Sequence, residues 1–79
     1  MTKVNVHFTT PEQIKLFVNT VSRFDCEFDM ESGRYVVDAK SILGVLSLDP
    51  AKPTTLVIQS DDQAEISSVL EAIKDYITE

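Results

Sequence analysis

Val4, Val6 and Phe8 alternate with Lys3, Asn5, His7 and Thr9, the period-2 pattern of a strand with one buried face, which turns His7 toward solvent. Thr10-Pro11-Glu12-Gln13 then has the form of a helix start, with threonine as N-cap, proline at the first helical position and glutamine placed to complete a capping box. Ile14, Phe17, Val18 and Val21 follow at helical spacing and predict one buried stripe through about Ser22. Cys26, Phe28 and Met30 alternate with Glu27, Asp29 and Glu31 up to a turn at Ser32-Gly33. Tyr35, Val37 and Ala39 continue the alternation, so this stretch reads as an antiparallel hairpin.

Ser41 can cap a short helix over about 42–47, and Asp49-Pro50 stops it, because proline disfavours helical geometry in the residue before it. Pro53 introduces a strand over 54–60 with Leu56 and Ile58 facing the core. The last helix begins near Asp61 or Asp62, acidic residues at its positive end, and runs toward Thr78 with Ile66, Val69, Leu70, Ile73 and Ile77 as its buried stripe. The order βαββαβα predicts an α+β two-layer sandwich: a four-stranded antiparallel sheet with three helices on one face and the other open to water. Ile14, Phe17, Val18, Val21, Leu56, Ile58, Ile66, Val69, Leu70 and Ile73 are the expected core. Neither an internal repeat nor a linker divides the chain, so residues 1–79 read as a single domain.

At 79 residues such a core is thin. Thirteen acidic against seven basic side chains give a formal charge of -6, which opposes attraction to a phosphate backbone, so direct nucleic-acid binding is not expected. No apolar run approaches the roughly 20 residues of a membrane helix, and Met1-Thr2-Lys3-Val4-Asn5 lacks the order of a signal peptide; membrane insertion is not expected, and the cytosol is. The single Cys26 excludes an internal disulfide and, in its alternating apolar series, reads as a small hydrophobe. His7 has no second histidine to share a metal with, and the pairs Asp61-Asp62 and Asp29-Glu31 are accounted for by helix-start electrostatics and a solvated strand face. The chain therefore predicts no metal site and no cofactor.

The run Lys40-Ser41-Ile42-Leu43-Gly44-Val45-Leu46-Ser47-Leu48 resembles the second-helix segment of HPr, the histidine-containing phosphocarrier family of the bacterial sugar phosphotransferase system. Thr20-Val21-Ser22-Arg23-Phe24 is similar to that family's first-helix exit, and Leu56-Val57-Ile58 falls where its last strand lies. The resemblance implies an open-faced HPr-like sandwich over nearly the whole chain. In the family a phosphorylated histidine caps the first helix, with an arginine two positions on, in the motif Gly-Leu-His-Ala-Arg-Pro. Ungapped counting back from Phe24 puts Thr10 at the histidine position and Glu12 at the arginine position. A threonine hydroxyl is an unactivated nucleophile, Glu12 repels an incoming dianion, and Pro11 has no N–H to offer it. His7, three residues early and without a neighbouring arginine in sequence, is a poor substitute.

Within the same resemblance, Ser41 corresponds to a regulatory phosphorylation site. A phosphate there would sit at a helix start beside free N–H groups, with Lys40 as a neighbouring cation, although an ordinary serine N-cap also explains the residue. Ile42, Leu43 and Leu46 offer more apolar surface than two helical turns can hide. The family's partners at that surface are phosphotransferase enzymes, an HPr kinase and a LacI-type transcription regulator. Ile42, Leu43 and Leu46 are thus the candidate docking residues, with Lys15 and Arg23 as charged partners. The one at helical spacing from Val45 is expected to pack inward. The expected function is a non-catalytic regulatory or protein-binding module, not an enzyme. A phosphocarrier with an atypical site at His7 or Thr10 is the alternative. A small enzyme of the acylphosphatase type lacks support, since no glycine-rich anion loop with an arginine is present.

Overall fold

The structure is a computed structural model that describes residues 1–49 and 51–78. Strand β1 (Thr2–Val6) leads into helix α1 (Pro11–Val21), then the hairpin β2 (Glu27–Ser32) and β3 (Tyr35–Asp38), helix α2 (Ile42–Leu46), strand β4 (Thr54–Gln59) and helix α3 (Gln63–Ala72). A 3₁₀ turn (Lys74–Tyr76) and a two-residue strand β5 (Ile77–Thr78) follow. All strand pairs are antiparallel and the sheet order is β3-β2-β4-β1-β5. The three α-helices cover one face, as expected. The sheet has five strands where four were expected.

The fifth strand replaces the expected run of the last helix toward Thr78. Asp62 caps α3 as read from the sequence, accepting from the N–H groups of Ala64 and Glu65. Ile73 then leaves helical geometry (φ -112, ψ 12), and Ile77 and Thr78 pair with Val6 and Asn5. Two β-branched residues gain a ladder there, and the Tyr76 carbonyl accepts from His7 N–H at 2.8 Å. Tyr76 also joins Phe8 and Phe17 in an aromatic cluster with ring centroids 4.9 to 5.7 Å apart. Phe8 thus packs inward although β1 ends at Val6, and His7 is exposed outside the strand.

Eight of the ten expected core residues are buried; Ile14 and Leu70 are only partly so. Phe28, Met30, Val6 and Val45 complete the interior with Ala39, which is buried just beyond β3. Tyr35 departs from its expected inward place and is 71% exposed; it follows the hairpin turn on β3, an edge strand with a neighbour on one side only. Gly33, at the first of two turn positions, has φ 59, which a two-residue hairpin of the type II′ kind demands there. On the face expected to be open to water, Val57 is nevertheless 3% exposed. It occupies the middle strand between its partners Lys3 and Asp29, and the Lys3–Glu31 ion pair and a Gln59–Asp29 hydrogen bond close over that region.

Candidate functional site at the two helix mouths

Helix α1 starts as its sequence dictates. Thr10 is extended (φ -142, ψ 156), its Oγ1 accepts from Gln13 N–H at 3.2 Å, and Pro11 opens the helix. Gln13 Oε1 reaches back to Thr9 N–H at 2.7 Å, one residue earlier than a standard capping box. Proline has no N–H and the Gln13 N–H is already taken, so an anion at this mouth would find few donors and the exposed Glu12 beside it. Below lies a groove of about 200 Å³ lined by Phe8, Thr9, Thr10, Pro11, Ile14, Leu46 and Leu48. Its walls are mostly apolar. Thr10 is thus a capped helix start over a hydrophobic groove.

Helix α2 begins at Ser41, whose Oγ accepts from Gly44 N–H at 3.3 Å, with no acidic residue in the first turn. A Cβ on Gly44 would lie 3.3 Å from Val37 Cβ, so glycine lets this helix seat closely against β3. Of the apolar trio, Ile42 packs against the core at helical spacing from the buried Val45, whereas Leu43 is 78% and Leu46 43% exposed. Lys40 does not act as the expected cation beside Ser41. Its ammonium donates to the Phe24 carbonyl at 2.7 Å and lies 5.7 Å from the Phe28 ring centre, so it ties the α1 exit to the α2 entry.

Leu46 joins the two mouths, since it belongs to α2 and also lines the groove at α1. Lys15 and Arg23 are exposed on or just after α1, and neither enters an ion pair among the described residues. Leu16, exposed on α1, was not singled out from the sequence; its signal is that it falls off the stripe of Ile14, Phe17, Val18 and Val21. The stop expected at Asp49-Pro50 involves Pro50, which lies outside the described residues. Cys26 is partly buried, and burial, then the charge of Glu65, push its thiol pKa above the ordinary value against the opposing effect of Lys40. Among the described residues no group of three or more histidine, cysteine or acidic side chains could hold a metal ion, and no helix is long and apolar enough to cross a membrane.

The structure is an open-faced two-layer α+β sandwich in which two helices, α1 and α2, begin at hydroxyl caps. Residues 12–79 match the family described as "PTS HPr component phosphorylation site". The chain is also 35% identical over 82 aligned positions to the HPr-like protein Crh of Bacillus subtilis, covering 98% of this chain and 93% of that protein. The chain belongs to the HPr family. Its fold is similar to HPr-C-His from Thermoanaerobacter tengcongensis (TM-score 0.72, 24% identity, 95% of this chain and 93% of that one). It is similar as well to the phosphocarrier protein HPr from Bacillus anthracis (TM-score 0.67, 23% identity, 91% and 93%).

Proposed function

We propose that this HPr-family protein is a non-catalytic, cytoplasmic, single-domain module that binds protein partners of the sugar phosphotransferase system and is regulated through Ser41. The carrying observation is the mouth of α1. Thr10 stands where ungapped counting puts the histidine, its oxygen already accepts from Gln13, Pro11 has no N–H, and Glu12 puts an anion where a phosphoryl group would need a cation. The likeness to an HPr-like protein supports a regulator that has kept the fold. Leu43 and Leu46 form the partner surface with Lys15 and Arg23 as its charged contributors from α1 and its exit, and Ile42 contributes through its packing. The partners expected from the family are phosphotransferase enzymes, an HPr kinase and a LacI-type regulator. At Ser41 a phosphate would add roughly -1.5 to -2 charges beside exposed apolar residues, enough to recruit a basic partner without refolding the domain.

One experiment with two arms tests both halves. With Enzyme I and labelled phosphoenolpyruvate, the parent should incorporate no acid-labile phosphate, and Thr10→His with Glu12→Arg should recover more transfer than either single change. With an HPr kinase and ATP, label should map to Ser41, and Ser41→Ala and Ser41→Asp should capture partners differently. Robust transfer to the parent protein would sink the first half; indifference of the kinase, together with identical capture by both variants, would sink the second.

A further inference from the structure

A second depression shares no lining residue with the apolar groove and is more polar. It measures about 320 Å³ and is lined by Asn5, Val6, His7, Lys52, Pro53, Thr54 and Thr78. In a chain of formal charge -6, this lining contains a lysine and the only histidine and, among the described residues, no carboxylate. The walls are held by backbone pairing. Val6 is in register with Thr54, Asn5 with Thr78, and the His7 N–H donates to the Tyr76 carbonyl at 2.8 Å. Lys52 is set by a turn in which its N–H donates to the Asp49 carbonyl at 3.1 Å. Asn5 Oδ1 accepts from the Thr55 hydroxyl at 3.1 Å, which fixes the amide and leaves its two N–H groups as donors.

We propose that this hollow binds a phosphate group. The donors come from three parts of the fold: the Asn5 amide and His7 ring N–H at the end of β1, the Lys52 ammonium before β4, and the Thr78 hydroxyl of β5. Convergence from several directions suits a tetrahedral oxyanion, and an imidazole has a ring N–H to donate in either protonation state. The volume exceeds that of a phosphate ion, so a small phosphate monoester fits the same chemistry. Thr10 does not line this hollow, and binding there requires no transfer of the phosphoryl group.

Nitrogen–proton NMR titrations of the full chain at constant pH, with sodium chloride holding the ionic strength, test the assignment. Inorganic phosphate and glycerol 3-phosphate serve as the two probes. Saturable shifts are expected at the amides of His7, Thr54 and Thr78, and tighter binding of glycerol 3-phosphate would identify a monoester as the natural form. Lys52→Met and His7→Ala should each weaken binding by roughly tenfold, about one charge-assisted hydrogen bond. Both residues are exposed, so retained spectral dispersion will show that the variants fold. Glu79→Gln, which removes the carboxylate following Thr78 in the chain, should tighten binding or leave it unchanged. Non-saturating shifts with both probes, variants that titrate like the parent, or weakening by Glu79→Gln would overturn the proposal.

Discussion

The starts of α1 and α2 are built alike and suited to opposite uses. Each is capped by a hydroxyl oxygen that accepts from the N–H three residues on, Gln13 for Thr10 and Gly44 for Ser41. At α1 the next two residues are a proline and a glutamate, over an apolar groove with an aromatic floor. At α2 they are Ile42 and Leu43, which keep their N–H groups, and no acid lies in the first turn. The residues after the cap would therefore oppose a phosphate at the first mouth and leave backbone donors for one at the second, although both starts are hydroxyl-capped. The difference lies in the residues after the cap, so a helix-start hydroxyl alone says little about phosphate chemistry.

The strongest way to break this comparison is to remove its shared support. Phe17 is fully buried against Phe8 and Tyr76 beneath the α1 mouth, so Phe17→Ala should cost about 3–5 kcal/mol in urea unfolding. That is much of the stability of a small domain. Leu43→Ala, at a 78% exposed position of α2, should stay within about 0.5 kcal/mol. Equal losses would mean that the exposed α2 surface is structural and not reserved for partners.

A finer test removes the caps. Thr10→Ala should cost about 1 kcal/mol, because Thr10 starts an eleven-residue helix and Gln13 closes a second bond over it. Ser41→Ala should cost about half as much, since its helix has five residues and no second side-chain bond closes its start. A larger loss at Ser41 would show that its hydroxyl is held by the fold and poorly available for modification.

The smallest effect reports where the charge of Lys40 acts. Burial and Glu65 raise the Cys26 thiol pKa, and Lys40 counters them. Because the folded state disfavours the thiolate, the corresponding stability is fully present below the ordinary value of 9.0 and is lost as pH rises through the higher folded pKa. The urea midpoint of the parent should therefore fall above about pH 9 more steeply than that of Cys26→Ala. Lys40→Met should raise the thiol pKa further, seen as slower alkylation near pH 9. Unchanged alkylation would place the influence of Lys40 away from this interior corner and reopen its pairing with Ser41.

The start of α1 was legible almost residue by residue because cap, proline and glutamine act within four positions. The division of Ile42 from Leu43 and Leu46 was legible for a similar reason, the spacing to Val45. The end of α3 was not. Ile77 continues the helical stripe in the sequence, but β1 offers a strand partner from the opposite end of the chain, and that partner prevails at Ile77 and Thr78. The exposure of Tyr35 and the covering of Val57 were not foreseen, because alternation specifies a face without saying how far neighbouring strands and helices cover it. The hollow at His7 was invisible for the same kind of reason, since Lys52 and Thr78 meet it only through the strand register.

Strand β1 precedes the other described elements, yet both of its sheet neighbours, β4 and β5, lie in the last third of the 79 residues. Among the described residues, only the β2–β3 pairing joins strands adjacent in sequence. During translation the opening strand therefore has no place to dock until nearly everything else has emerged. The entropy of closing that long loop falls due before any ladder bond compensates it. A nascent chain of this design should fold late and all at once, and until then the ribosome and its attendant chaperones, more than the sheet, keep the N-terminal segment out of trouble.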